Sequence, residues 1–314
     1  MTANRQMLEA RAGLYRQIRD YFDKTGVMEV VTPVLSFAGN PDPAIDSFST
    51  DYAYSYDSRS MWLHTSPEFF MKRLLCQGSG SIYQICQVFR QGEKGRFHNP
   101  EFAMLEWYRI GYDYQQLMQD VQQLITSLTD TQPKIKMMTY QQLFDELAIN
   151  PLQAEVGELA EVAKKQGVNL HNADLSRDQW LDVLMSHVLE PAMDKQVLTF
   201  VYDYPESQAS LARIRRDTVA VAERFELYWG GVELANGFTE LTDANEQRKR
   251  FERDLVSREA NGQGTVAIDE NFLTALTQGM PECSGVALGL DRLLMVLQGA
   301  DSLEKVLSFH LEQV

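Results

Sequence analysis

Phe89-Arg90-Gln91-Gly92-Glu93-Lys94-Gly95-Arg96-Phe97-His98-Asn99-Pro100-Glu101-Phe102-Ala103-Met104-Leu105-Glu106-Trp107-Tyr108 is the stretch that decides the fold. Its flanks, 82–89 and 102–108, are apolar and β-prone, and its middle is polar and contains glycine. It therefore reads as an antiparallel hairpin with a long charged loop. Arg90 stands at a strand end beside that loop, where a guanidinium pairs bidentately with a phosphate or a carboxylate. An isolated Phe-Arg-x-x-Glu would more readily be a solvated loop. What sets this one apart is the company of His-Asn-Pro-Glu-Phe and then Leu-Glu-Trp-Tyr.

Working outward, residues 5–24 repeat Leu8, Tyr15, Ile18 and Phe22 near helical spacing. Gly26 ends that helix, 27–31 is a β-branched strand, and Thr32-Pro33 stops it. Residues 36–60 are turn-rich and polar, a flexible surface segment by composition, and 61–65 is a short strand. Ser66 suits an N-cap and Pro67 the first position of a helix that continues through 69–76. Residues 113–195 read as mainly helical, an inserted subdomain with neither linker nor repeat. Thr139 with Gln142 and Ser176 with Gln179 fit capping boxes there, and Trp180, Leu181, Leu184 and Val188 form an apolar face. His171 and His187 read as surface or packed residues. Strands return at 198–202, 224–229, 232–235 and 238–241. Asp243 with Glu246 opens a charged helix ending near Gly262, in which Arg248, Lys249 and Arg250 read as a solvated face. A last strand, 286–289, runs into a helix over 291–298.

The bulk numbers narrow the function. The chain has 314 residues, 44% of them hydrophobic, enough for one large sheet-centred domain. No apolar run reaches the ~20 residues of a membrane span. Met1 to Arg11 is polar and of mixed charge, unlike a secretory or transit peptide. Cys76, Cys86 and Cys283 have no metal spacing and sit in apolar contexts, as core residues in a reducing compartment do. A cytoplasmic location is expected. The net charge of −15 opposes extensive nucleic-acid binding, because phosphate contacts dominate that affinity. A small molecule or a protein is the better partner.

A second stretch, Phe225-Glu226-Leu227-Tyr228-Trp229-Gly230-Gly231-Val232-Glu233-Leu234-Ala235, yields to geometry. Gly230-Gly231 suits a two-residue hairpin turn. Tyr228 then faces Glu233, and Glu226 becomes a diagonal neighbour on the same face, roughly 7 to 8 Å away at the backbone. Such a pair repels unless a cation lies between, and Mg²⁺ with substrate phosphates is the natural one. A solvent-facing acidic pair is the equal alternative. Glu240 is out of phase with Glu233 on a regular strand, and Asn236-Gly237 is where a bulge is expected to reset it. Glu240 and Glu106 then converge on a substrate cation such as a lysine-like ammonium, with the Tyr108 hydroxyl as a third contact. Further on, Ser284-Gly285-Val286-Ala287-Leu288-Gly289-Leu290-Asp291-Arg292 is a strand entering a helix with an arginine at the junction.

Taken in order, the helix–strand–Pro33 unit, the charged hairpin and this junction resemble motifs 1, 2 and 3 of class II aminoacyl-tRNA synthetases. The resemblance covers nearly the whole chain. It is to the lysyl branch, most closely to the lysyl-tRNA synthetase-like ligases that modify elongation factor P. It implies an α+β fold with an antiparallel β-sheet core flanked by helices and a helical insertion at about 113–195, in one catalytic domain spanning 1–314. It also implies ATP and Mg²⁺ as cofactors and a homodimer through motif 1. Carried over by position, Arg90 would bind the α-phosphate and Arg292 the γ-phosphate, as the catalytic pair. Gln91, Gly92, Glu93, His98, Asn99, Phe102 (stacked on adenine), Glu233, Leu234 and Gly289 would complete the ATP site. Glu226 and Glu233 would hold the metal. Ser66, Pro67, Glu68 and Ala287 would meet the amino end of the substrate, and Glu106, Tyr108, Asn236 and Glu240 its distal ammonium.

Three departures refine that picture. Motif 1 begins at once, so no anticodon-binding OB domain, and no tRNA or membrane binding, is expected. Gly92 stands where the family motif Phe-Arg-x-Glu has its acid, with Glu93 one place later. Ala287 replaces the usual glycine and narrows the pocket near the amino end of the substrate, which favours (R)-β-lysine over α-lysine. The expected reaction is ATP-dependent activation of (R)-β-lysine and transfer to a lysine of elongation factor P. The alternatives are a minimal lysyl-tRNA synthetase, another amino-acid ligase on the same fold, and an inactive regulatory paralogue.

Overall fold

The charged hairpin forms in the computed structural model, which describes residues 4–54, 57–129, 132–170 and 174–314. Helix α1 (Arg5–Lys24) opens the chain. The Asn4 side chain accepts from the Met7 amide at 2.9 Å, and Leu14, Ile18 and Phe22 form its buried stripe. There follow β1 (Met28–Glu29), β2 (Leu35–Ser36), β3 (Ser49–Tyr54), β4 (Asp57–Leu63), α2 (Glu68–Cys76), β5 (Ile82–Phe89) and β6 (Glu101–Ile110). The middle of the chain supplies α3 (Tyr114–Ser127), β7 (Lys134–Thr139), α4 (Tyr140–Phe144), α5 (Val156–Lys165), α6 (Arg177–Leu184) and α7 (Glu190–Ala192). The last third gives β8 (Val197–Pro205), β9 (Ile214–Arg216), β10 (Ala220–Trp229), β11 (Val232–Thr239), α8 (Ala244–Ala260), α9 (Glu270–Gln278), β12 (Cys283–Gly289) and α10 (Leu290–Leu297).

Nine strands form one sheet in the order β1-β5-β6-β12-β11-β10-β8-β7, with β9 added on β10. Among the described residues only the outer pairs β1–β5 and β7–β8 run parallel. The fold is thus α+β with an antiparallel-dominated sheet between helices. One face packs on α1, α3 and α10 through side chains such as Leu105, Trp107, Leu227 and Leu288. The alternating residues of the same strands, including Glu106 and Tyr108, point the other way, because side chains change face at every residue. That second face carries the site.

Several sequence expectations change. The 36–60 segment contains a three-stranded sheet, β2-β4-β3, of which 55–56 lie outside the described residues. It is pinned from afar: the Arg258 guanidinium pairs with Asp46 at 2.8 Å and donates to the carbonyls of Asp42 and Ile45. The 113–195 region is not all helical, since β7 extends the main sheet beside β8. Both capping boxes form, at Thr139 and Ser176. Helix α2 starts one residue late, with Pro67 at the cap and the Ser66 hydroxyl accepting from the Glu68 amide at 3.0 Å. Arg250 is not on a solvated face: it is buried and donates to the carbonyls of Ser210 and Ala212. His187 is exposed, and His171 lies outside the described residues. Of the three cysteines only Cys283 is fully buried. No helix of the described residues is long and apolar enough to cross a membrane.

Candidate active site

Strand register assembles the site. Glu106 of β6 lies opposite Ala287 of β12, Ala287 opposite Asn236 of β11, and Asn236 opposite Glu226 of β10. The next row joins Tyr108, Gly285, Phe238 and Arg224. Tyr228 does face Glu233, but the phase reset falls elsewhere than expected. The register shifts between Leu227 and Tyr228, leaving Leu234 as the extra residue on β11. Asn236-Gly237 is regular strand. Gly237 is glycine for close packing, because a Cβ there would lie 2.7 Å from the Phe225 ring. The bulge brings Glu233, Asn236 and Glu240 onto one face.

At one end of that face three carboxylates crowd a buried lysine. Lys72 of α2 is fully buried and pairs with Glu68 at 2.6 Å and Glu240 at 2.5 Å, with its ammonium 5.4 Å from the Phe238 ring centre. Glu106 receives hydroxyl hydrogen bonds from Ser66 and Tyr108, each at 2.7 Å, and no direct cation. Both Glu240 oxygens are buried: Oε2 has the Lys72 ammonium alone, and Oε1 has no hydrogen-bond partner among the described residues. Gly285 makes this convergence possible, since a Cβ would lie 2.4 Å from Glu240 Oε1 and from the Tyr108 ring. Burial, then the repulsion of Glu68, pushes Glu106 up to about 7. Burial pushes Glu240 up to about 8 against the pull of Lys72. Lys72 itself stays firmly protonated, because the two acids outweigh its own desolvation. Three carboxylates to one ammonium leave the cluster short of positive charge when the acids are ionised.

The other end is basic. Arg90 lies over the Phe102 ring at 5.1 Å and faces Glu93 at 3.5 Å. Gly92 has φ +82°, a conformation side-chain-bearing residues avoid, and the turn it makes presents Glu93 to Arg90. Arg292 donates to the Phe97 carbonyl, to Glu233 at 3.1 Å and to His98 Nε2 at 2.9 Å. Burial and Arg292 hold the His98 imidazole below its usual range, so it accepts as the neutral ring. Burial disfavours charge on Glu233, but Arg292 and Arg90 win and keep its carboxyl low. The Asn99 side chain is engaged locally, donating to the Glu101 carbonyl at 2.7 Å and accepting from the Leu311 amide at 3.2 Å. The motif-3 aspartate, Asp291, braces the scaffold: it takes the Ala103 amide at 2.7 Å and pairs with Arg11 at 2.6 Å.

Arg224 joins the two ends, and nothing in the sequence singled it out. It donates to Asn236 Oδ1 at 2.9 Å, to Glu226 at 2.5 Å and to the Gln208 carbonyl at 2.8 Å, and stacks 4.6 Å from the Tyr204 ring. With Oδ1 so engaged, Asn236 offers its NH₂ to the cavity. That NH₂ is a donor, which suits an oxygen acceptor. Glu226 also accepts from the hydroxyls of Tyr204, at 2.6 Å, and Tyr228. Glu190 is the third acid beside Glu226 and Glu233, and burial followed by those two neighbours raises it to about 7. It follows a turn of π-helix, Met185–Leu189, a distortion common at functional sites. The Gly230-Gly231 turn packs against this segment, for a Cβ on Gly231 would lie 2.2 Å from the Glu190 carbonyl oxygen. Among the described residues no three such ligands converge tightly enough to hold an ion unaided. Glu226 and Glu233 are of the ligand type Mg²⁺ takes, one or two carboxylates completed by phosphate oxygens and water. Here Glu226 is held by Arg224, Tyr204 and Tyr228, and Glu233 by Arg292.

All the expected site residues line one cavity of about 1080 Å³ except Gln91, Gly92 and Pro67. A smaller cavity of about 540 Å³ between α1, α3 and α10 has no ionisable side chain in its wall and offers no chemistry. The acid-lysine pocket at one end, the arginines at the other and the amide between them suit an amino acid laid against a nucleotide. The family model described as tRNA synthetases class II (D, K and N) matches residues 2–313.

Proposed function

The chain belongs to the class II tRNA synthetases (D, K and N), which makes it an amino-acid-activating, ATP-dependent ligase, and from that membership we propose that it activates (R)-β-lysine and transfers it to a lysine ε-amine of elongation factor P. The observation that carries the substrate is the excess of acid among Glu68, Glu106, Glu240 and Lys72, three carboxylates to one ammonium. The distal ammonium of the substrate lies between Glu106 and Glu240, where it offsets part of that excess. The Ala287 methyl stands in register between Glu106 and Asn236, shortening the pocket and favouring a displaced amino group. Ser66 and Glu68 face its amino end.

In the first step a carboxylate oxygen of the substrate attacks the α-phosphorus of ATP, the bond to the β-phosphate oxygen breaks, and pyrophosphate leaves. Arg90 stabilises charge on the α-phosphate and Arg292 on the γ-phosphate, with His98 and Glu233 holding Arg292 in place. Phe102 stacks on the adenine. Asn236 donates to the acyl oxygen, and Arg224 fixes that orientation. Glu226 and Glu233 would hold Mg²⁺, which neutralises phosphate charge when bound. In the second step the acceptor amine nitrogen attacks the acyl carbon, the carbon–oxygen bond to AMP breaks, and the amine proton passes to solvent. Catalysis is positioning and electrostatics, with no covalent enzyme intermediate.

ATP–pyrophosphate exchange with (R)-β-lysine and with L-α-lysine tests the reading. Faster exchange with β-lysine supports it. A preference for α-lysine together with charging of tRNA would replace it with a minimal lysyl-tRNA synthetase. We also propose a homodimer through the motif-1 segment, where Met28, Val31, Leu35 and Phe37 are exposed apolar side chains. Light scattering that finds a monomer at micromolar concentration would reject it.

A further inference from the structure

Beyond Arg224 and Glu226 the cavity continues over β10 and β8 into a vestibule that adenylate formation does not use. Its wall is α6, with Asp178 and Asp182, and its floor holds Tyr140, Tyr204 and Gln208. Water reaches Asp182 from the cavity, yet protein crowds it, and that crowding pushes its carboxyl up to about 6 against the pull of Arg224. Gln208 Nε2 donates to Asp182 Oδ1 at 2.8 Å, while Gln208 Oε1 is buried with no partner among the described residues. The Tyr140 hydroxyl is in the same condition. Its ring is fully buried, stacked 4.7 Å from Phe144 and tilted at 4.7 Å from Tyr204, and its oxygen has no partner among the described residues.

A buried polar atom left unpaired costs about 1–3 kcal/mol, so two together in a cavity wall mark a place where something else binds. What is on offer is mostly acceptors: a carboxylate, an amide oxygen and a phenol oxygen. An ammonium has three donors and no acceptor, and fits this set. A phosphate does not, because Asp178, Asp182 and Glu190 all present negative charge here. The nearby cations are already committed: Arg224 to Glu226 and Asn236, and Arg177 to Asp178 and two backbone carbonyls. The ammonium of the activated amino acid has its own carboxylates on the far side of Arg224.

We propose that this vestibule, centred on Asp182, Gln208 Oε1 and the Tyr140 hydroxyl, is a subsite for a cationic side chain of the acceptor polypeptide. The inference rests on the two-step reading above. The cation is either the reacting lysine before it loses its proton or a basic residue beside it. An acidic entrance of this kind also selects a basic protein loop over the phosphate chain of an RNA.

The test separates the two half-reactions in the full-length protein. Asp182→Asn and Tyr140→Phe are assayed for ATP–pyrophosphate exchange with (R)-β-lysine, and for transfer to elongation factor P and to Nα-acetyl-lysine methylamide. Exchange is expected to stay within twofold of the parent, and KM for elongation factor P to rise about tenfold in Asp182→Asn. An equal loss with the small acceptor assigns the subsite to the reacting lysine, and a loss with the protein alone assigns it to a basic neighbour. Both support the proposal. Unchanged transfer in both variants would mean that the orphaned atoms merely hold water, and would overturn it. Exchange falling in parallel with transfer would overturn it too, by placing these residues in adenylate formation. Absence of exchange in the parent would sink the two-step reading and the subsite with it. Unfolding midpoints of both variants, with Asp178→Asn as a milder substitution on the same wall, guard against a folding defect.

Discussion

Strand β6 carries two buried charge clusters back to back, and they are built differently. On the helix-packed face, Asp120 accepts from Arg109 Nε and Nη2, each at 2.7 Å, from Trp107 Nε1 at 2.9 Å and from the Tyr21 hydroxyl at 2.6 Å. One acid meets one bidentate cation and two further donors. On the opposite face Lys72 pairs with Glu68 and Glu240, Glu106 has hydroxyl donors alone, and Glu240 Oε1 finds no hydrogen-bond partner among the described residues. Burial costs both clusters alike. The complete cluster ties α1, α3 and the sheet together, while the incomplete one waits for a ligand. What marks a buried ionic cluster as a site is its unfilled valence rather than its burial.

The largest effect should come from breaking the complete cluster. Asp120→Ala leaves Arg109 buried and unpaired, and denaturant unfolding should show a loss of about 3–5 kcal/mol. A loss under 1 kcal/mol would erase the contrast between the faces. The incomplete cluster should behave oppositely. Glu240→Gln removes a charge the empty protein already tends to neutralise, so its unfolding midpoint near pH 7 should move by only a few degrees. Exchange with the amino acid should fall about a hundredfold, while ATP binding, read by calorimetry, persists. Normal exchange by that variant would refute the ammonium assignment.

Titration sharpens the same contrast. Glu106 and Glu240 are raised in the folded state, to about 7 and about 8. The folded protein therefore binds more protons than the unfolded chain above the ordinary carboxylate range. The stability these groups contribute is present below that range and is lost as pH rises through 7 to 8. Ammonium binding needs the ionised acids, so KM for the amino acid should fall about tenfold between pH 6 and 8.5. A flat profile in the parent would contradict the shared-lysine picture, and Glu240→Gln should flatten most of it. The smallest effect lies outside both clusters. Gly92→Glu restores the family motif but forces a side chain into positive φ, where its Cβ meets nothing within 4 Å. It should cost about 1–2 kcal/mol from backbone conformation alone, with no gain in ATP affinity by calorimetry.

Much of this was legible before any coordinates. The charged hairpin, the capping boxes at Thr139 and Ser176, the glycine turn and the pairing of Tyr228 with Glu233 follow from short-range rules. Local chemistry failed in three kinds of place. Lys72, Arg224 and Arg250 look like surface cations in the sequence, because only distant partners justify their burial. The bulge at Leu234 sits in ordinary strand residues, chosen by the fit of β10 to β11 rather than by a breaker. Strand β7 and the small β2-β4-β3 sheet have weak strand signals and depend on β8 and on Arg258.

Residue type and spacing alone carry the family, the order of the three motifs, and the acids and arginines from which a ligase site is made. Local rules of turn, strand and cap translate those directly. The balance of charge came from packing between distant elements: Lys72 enters the acid cluster as one ammonium among three carboxylates, Arg224 turns the Asn236 amide, and Asp182 and Tyr140 line an unused vestibule. Charge balance in a low-dielectric interior is set by neighbours far apart in sequence.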